Sequence, residues 1–249
     1  MNLIGSGRIV KVHSNRLVRS LPMTQPASNP TPRVKIDFVS DVVCPWCAVG
    51  LKSLEQAIAR IGDEVEVELH FQPFELNPQM APEGESIDEH LAHKYGLTPQ
   101  QLAQNRDALR QRGAAVGFEF NARDRIYNTF DAHRLLHWAA TEGAAQEHAL
   151  KNALLKAYFT DSQDVSAHDI LARAAAEAGL DEARARAVLA SDEYADDVRE
   201  QERFYQSQGI RAVPSVIIND RHLIQGGQPV EQFEAALRQI AGLPASGKV

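Results

Sequence analysis

A chain of 249 residues with 44% hydrophobic side chains can bury a core without cross-links, as one large domain or two small ones. Its formal charge of -7 argues against nucleic acid as a partner. No stretch approaches the roughly 18 consecutive apolar residues of a membrane helix, so no membrane partner is expected.

The first 36 residues hold no Asp or Glu, yet Arg8, Lys11, Arg16 and Arg19 interrupt every apolar run, and no secretory core results. Residues 1–32 read as a disordered extension, with a start at Met23 as the alternative, and the expected compartment is the cytoplasm.

Val34, Ile36 and Phe38 alternate with Lys35 and Asp37, the period of a strand. Leu51, Leu54, Ile58 and Ile61 then fall at helical spacing up to Gly62, and alternation returns in Val65, Val67, Leu69 and Phe71. Strand, helix and strand in under 40 residues predict a parallel pair joined by a right-handed crossover.

From about Phe74 to Gln208 strand signals disappear and helix punctuation takes over. Thr98-Pro99 opens one helix, Gly143 stops another after "NTFDAHRLLHWAATE", Ser166 with Asp169 forms a capping pair, and Gly179 and Gly209 mark further stops. About five helices are expected, with the acidic run Asp192, Glu193, Asp196, Asp197, Glu200 and Glu202 as a solvated face.

Strand character resumes in "VPSVIIN" and "HLIQG", joined by a two-residue turn at Asn219-Asp220, and a last helix follows Pro229. Gly226-Gly227 lacks any phosphate-loop context and reads as a turn. The expected fold class is therefore α/β: one small mixed sheet, β-α-β then β-β-α, interrupted by an all-helical insertion. The boundaries are 33–74 and 209–243 for the sheet portion, 75–208 for the insertion and 244–249 for a tail.

Both cysteines lie in "DVVCPWC", two residues apart. A bridge there closes so small a loop that it stabilises little, and no second CxxC exists to complete a zinc site. A redox couple fits better. If the helix starts at Pro45, Cys44 is its N-cap, where free backbone N–H groups and the macrodipole favour a thiolate. Cys44 then attacks a disulfide, and Cys47, one turn on, resolves the mixed disulfide. The reading requires a route by which a substrate reaches the Cys44 sulfur.

The stretches "VKIDFVSDVVCPWCAVGLKSLEQAI", "NTFDAHRLLHWA" and "GIRAVPSVIINDRHLIQGGQPVEQFEAAL" together resemble the cytoplasmic FrnE-like branch of the DsbA family, from about Arg33 to Leu243. The resemblance implies a thioredoxin-like fold with a helical insertion, a cis peptide bond before Pro214, and Val213 pairing to an extended substrate. Pro45 and Trp46 then shape the site. Trp46 stands where the best-studied members carry His, so a less oxidising couple is expected.

Weaker candidates are Asp41, as proton acceptor for Cys47 or cap of its own turn, and Asn128 and His133 in the family pattern, with capping the commoner use. Phe74, Trp46 and Tyr127 could line an apolar client surface or simply be core. The His133/His137 and His90/His93 pairs lack further ligands, and no metal is expected.

The expected activity is protein thiol-disulfide exchange, as reductase, oxidase or isomerase. No bound cofactor is expected, with glutathione open as co-substrate; the partners are disulfide-containing proteins or small thiols. Two alternatives stand beside it: a glutathione-dependent isomerase or transferase related to 2-hydroxychromene-2-carboxylate isomerase and kappa-class glutathione transferase, and a chaperone-like or metal-sequestering module. The pattern sets no oligomeric state.

Overall fold

The computed structural model describes residues 31–81 and 83–245. Residues 1–30 of the expected extension and 246–249 of the expected tail lie outside this range. Strand β1 (Arg33–Ser40) runs parallel to β2 (Glu66–Pro73), with Ile36 opposite Leu69 and Phe38 opposite Phe71. Helix α1 (Pro45–Ile61) connects them and ends at Gly62, whose φ of 56° favours glycine.

After the helical segment, β5 (Ser215–Ile218) pairs antiparallel to β1, and β6 (His222–Gln225) pairs antiparallel to β5. The sheet order is β2-β1-β5-β6, so segments far apart in sequence meet at β1. Helix α9 (Val230–Ile240) buries Val230, Phe233 and Leu237 and packs against α1.

Strand β1 is buried on both faces. Phe38 points to α1, lying near Gly50, whereas its neighbour Val39 packs with Tyr205 and Ile210. Asp37, on the Val39 side, is 3% exposed, and it is satisfied by Lys35 at 2.9 Å and by the Gln72 amide at 2.7 Å. The helical segment covers that face from Asp37 onward.

Seven helices, not about five, lie between β2 and β5 among the described residues: α2 (Ile87–Tyr95), α3 (Pro99–Ala115), α4 (Phe130–Glu142), α5 (Ala144–Phe159), α6 (His168–Glu177), α7 (Glu182–Leu189) and α8 (Ala195–Ser207). The Thr98-Pro99 start and the Gly179 stop fall at helix ends as expected, and the unforeseen helices are short, α2 of 9 residues ending at Gly96 and α7 of 8. A two-residue ribbon, β3 (Glu85–Ser86) with β4 (Arg125–Ile126), was also not foreseen, being too short for any periodicity.

Other expectations hold in detail or shift by a residue. Thr98 and Gln101 form a reciprocal capping box on α3. Helix α6 has Ala167 as its N-cap, and the Ser166 hydroxyl donates to Asp164 instead. The β5-β6 connection has three residues, not two, because Ile218 pairs with His222; Asn219 and Asp220 both take left-handed φ, which their short polar side chains tolerate. In the acidic run, Glu202 is 5% exposed and paired to Arg199 at 2.9 Å, so the run is not wholly solvated.

Helices α4, α5 and α8 all pack on β2, and the hydrophobic core passes without a break from the sheet into the helical segment. The back of the cysteine motif therefore faces the insertion.

Candidate active site

Cys44 is the N-cap of α1, with φ -87° and ψ 112°, and Pro45 takes the first helical position, where its missing N–H costs nothing. Two N–H groups of the first turn, those of Cys47 and Ala48, reach the Cys44 carbonyl at 3.0 and 3.3 Å. The Cys44 thiol points across to the chain before β5, its Sγ 3.7 Å from the Val213 carbonyl oxygen. The Val213–Pro214 bond is cis. Thus α1 and the start of β5 bring Cys44, Val213 and Pro214 together although 169 residues separate the first two.

Packing around the motif is tight. A Cβ on Gly50 would lie 3.2 Å from the Pro214 ring, and one on Gly227 would lie 2.8 Å from the Trp46 carbonyl oxygen. Gly227 is thus more than a turn residue: it lets the β6-α9 loop rest on the cysteine helix. Both thiols are free.

The route to the Cys44 sulfur that the reading requires is narrow. Cys47 is fully buried and Cys44 retains 4% exposure, with the Val213 carbonyl oxygen 3.7 Å from its sulfur. Exposure rises immediately around it: Trp46 is 42% exposed, Val213 is half-buried, and Arg211 and Ala212 are exposed. Burial pushes the Cys47 thiol well up, and the adjacent Cys44 pushes it the same way.

Asp41 lies at the end of β1 and is fully buried. Its carboxylate accepts from the backbone N–H of Leu76 at 2.7 Å and of Val43 at 3.5 Å, and lies 3.6 Å from His133 Nε2. Burial alone would raise this carboxyl; the His133 side chain and the Leu76 N–H outweigh it and hold Asp41 below the usual carboxylate range. Asp41 is therefore bound into its turn as a cap. Its side chain is a weak base.

Asn128 accepts from Phe130 N–H at 2.9 Å beside Thr129, the N-cap of α4, and its amide reaches Glu75 at 3.5 Å. It supports the start of α4. His133, 3% exposed, stands directly behind Asp41. Phe74 packs near Val213 in a small apolar cluster, whereas Tyr127 packs edge-on to Tyr158 in the main core. No group of three or more His, Cys, Asp or Glu side chains suited to a metal occurs among the described residues.

Sequence reasoning missed Lys151. This lysine of α5 is 0% exposed, its ammonium makes no hydrogen bond among the described residues, and it lies 5.7 Å from the centre of the Phe71 ring. Its charge is felt by Cys47, Asp41, Glu147 and Cys44. The only signal was its place in "EHALKNALLKAYF", on the same helical face as Glu147, Leu154 and Tyr158.

Comparison with known proteins agrees with this geometry. The family model of the DSBA-like thioredoxin domain matches residues 35–238. The chain is similar to the uncharacterized protein YwbO of Bacillus subtilis (strain 168), 31% identical over 206 residues, covering 82% of this chain and 96% of YwbO. It is also similar to the probable DsbA oxidoreductase SCO1869 of Streptomyces coelicolor, at 35% identity and TM-score 0.77, covering 87% of this chain and 93% of that one. The cytosolic disulfide reductase DsbM of Pseudomonas aeruginosa with GSH shares the fold at 16% identity and TM-score 0.57, over 84% and 100% of the two chains. On the match across residues 35–238, the chain belongs to the DSBA-like thioredoxin domain family.

Proposed function

We propose that this protein is a thiol-disulfide oxidoreductase in which Cys44 captures a disulfide and Cys47 resolves it, acting on disulfide-containing proteins or small thiols in the cytoplasm. The observation that carries this reading is the meeting of three features at one point: Cys44 as N-cap of α1, Cys47 one turn behind it, and the Val213 carbonyl 3.7 Å from the Cys44 sulfur. The sulfur stands at the N-terminal end of the α1 dipole, and it caps no N–H of the first turn.

The 4% exposure of Cys44 sets the order of events. An extended substrate segment pairs with the chain at Val213 by strand addition and takes over the carbonyl that covers the thiol. Cys44 then attacks the substrate disulfide, one substrate thiolate leaves, and a mixed disulfide forms. Cys47 attacks the Cys44 sulfur, the second substrate thiolate leaves, and the protein holds a Cys44–Cys47 disulfide. Two electrons have passed to the substrate; the oxidase direction is the reverse.

Support for a small-thiol partner and for the cytoplasm comes from DsbM, a cytosolic reductase observed with GSH, which shares the fold. No described helix is long and apolar enough to cross a membrane. The test is Cys47→Ser in the presence of a disulfide substrate. Exchange is expected to stall with the substrate covalently held on Cys44, visible as an added mass that dithiothreitol removes. A Cys47→Ser protein that turns over a glutathione-dependent isomerisation undiminished would point to the isomerase class instead.

A further inference from the structure

Glu147 and Lys151 stand four residues apart on α5, the spacing at which opposite charges on one helix face ordinarily pair. They do not pair here. Glu147 Oε1 accepts the Phe71 N–H at 3.0 Å, while Glu147 Oε2 and Lys151 Nζ make no hydrogen bond among the described residues, although the two residues are 2% and 0% exposed. A third buried atom without a hydrogen bond is His133 Nε2 on α4, 3.6 Å from Asp41. All three residues line one cavity of about 250 Å³, with Phe71, Leu136 and Ala140 as the apolar part of its wall. A single water needs only about 10–15 Å³, so the space admits a small organic molecule. A second cavity of about 540 Å³ shares His70, Gln72, His137 and Gln201 with the first and reaches the exposed Phe204, so a molecule can enter from solvent.

We infer that the cavity between β2, α4 and α5 is a binding site for a small zwitterion of the free α-amino-acid class, its carboxylate on Lys151, its ammonium on Glu147 and its side chain against Phe71 and Leu136. Nothing in this site requires Cys44 or Cys47 to react. The charges select the class. A buried cation and a buried anion that do not meet are both costly, and an α-amino acid, which carries the two complementary charges on one carbon, satisfies both at once. A lone anion leaves Glu147 without a partner, and a lone cation leaves Lys151 without one. His133 Nε2 offers a further polar contact on the facing helix.

The electrostatics agree with this geometry. Burial draws the Lys151 amine below its ordinary value and pushes the Glu147 carboxyl up to about 7, the directions expected of two charges that each lack a counter-charge. The titratable groups facing Glu147 are Lys151 and His148 on its own helix, His133 and His137 on α4, His70 on β2 and Asp37 on β1. An ammonium ligand pairs with the ionised form of Glu147, so binding strengthens as pH rises through about 7.

Isothermal titration calorimetry of the full chain with L-alanine, L-leucine and L-glutamine tests the site, with N-acetyl-L-leucine, L-leucinamide and acetate as controls. At least one free amino acid is expected to bind, at least tenfold more tightly than every control, and to lose at least tenfold in affinity in Lys151→Met and in Glu147→Gln, as removal of one buried charged contact entails. Its affinity is expected to be about tenfold weaker at pH 6 than at pH 8, because Glu147 is then mostly protonated. Absence of heat with all three amino acids would overturn the inference, as would acetate binding equally well, which marks a plain anion site, or binding unchanged in both variants. Should the variants not fold, NMR of the wild type decides: the backbone amide of Phe71, which donates to Glu147, is expected to shift on addition of the amino acid that binds, and an unmoved Phe71 amide contradicts the site.

Discussion

Gly227 shows how one missing side chain sets the site. A methyl group there would lie 2.8 Å from the Trp46 carbonyl oxygen and 3.3 Å from Gly50 N, both rigid backbone atoms, so either the loop or the first turn of α1 must move. Gly227→Ala is expected to cost about 1–3 kcal/mol in urea unfolding and to slow disulfide exchange, since the displaced turn carries both cysteines. Wild-type stability in that variant would mean that the loop yields freely. At Asp41 the expected loss is of the same order: Asp41→Ala strips acceptors from the buried N–H groups of Leu76 and Val43 and removes the carboxylate beside His133, for about 1–3 kcal/mol. The turn cap at Val43 was expected from sequence, whereas the Gly227 contact and the reach of Asp41 to Leu76 and His133 were not legible, because they join residues distant along the chain.

Among the elements, α5 carries most of what periodicity could not reveal. The alternation in β1 and β2, the stripe on α9 and the Pro45 start of α1 are local patterns, and they emerge in the structure where spacing placed them. A lysine and a glutamate on a helix ordinarily face solvent; Lys151 and Glu147 are buried because α5 lies against β2, a fact of tertiary packing with no local signature. Glu147 makes this visible in pH. Its carboxyl is raised from 4.5 to about 7 in the folded protein, chiefly by burial, so the folded state holds a proton that the unfolded chain has lost. The stability it contributes is complete below about 4.5 and drains as pH rises through about 7. Glu147→Gln, which keeps an acceptor for Phe71 N–H, is expected to flatten that fall, by up to about 3 kcal/mol between pH 5 and pH 8 in urea unfolding. Parallel stability profiles for the two proteins would show that Glu147 is solvated in solution.

At the scale of the molecule, a small four-stranded sheet places two sulfurs at the start of a helix, and a helical segment closes over the back of that helix with buried charge. The motifs in the sequence were enough to place the two cysteines at the start of α1, whereas the cis bond before Pro214 followed from the family resemblance and from no local pattern. The depth of the cysteines was not legible, because it depends on what the strand at Val213 and the insertion lay against them. The central claim is that Cys44 and Cys47 interconvert as one couple in the folded protein. Equilibration of native protein in graded ratios of reduced to oxidised glutathione, followed by acid quench and mass analysis, tests it directly: the account predicts a single transition between a dithiol and a form two hydrogens lighter, lost in Cys44→Ser. Persistence of both free thiols across the full range of buffers, or a glutathione adduct that never resolves, would contradict it.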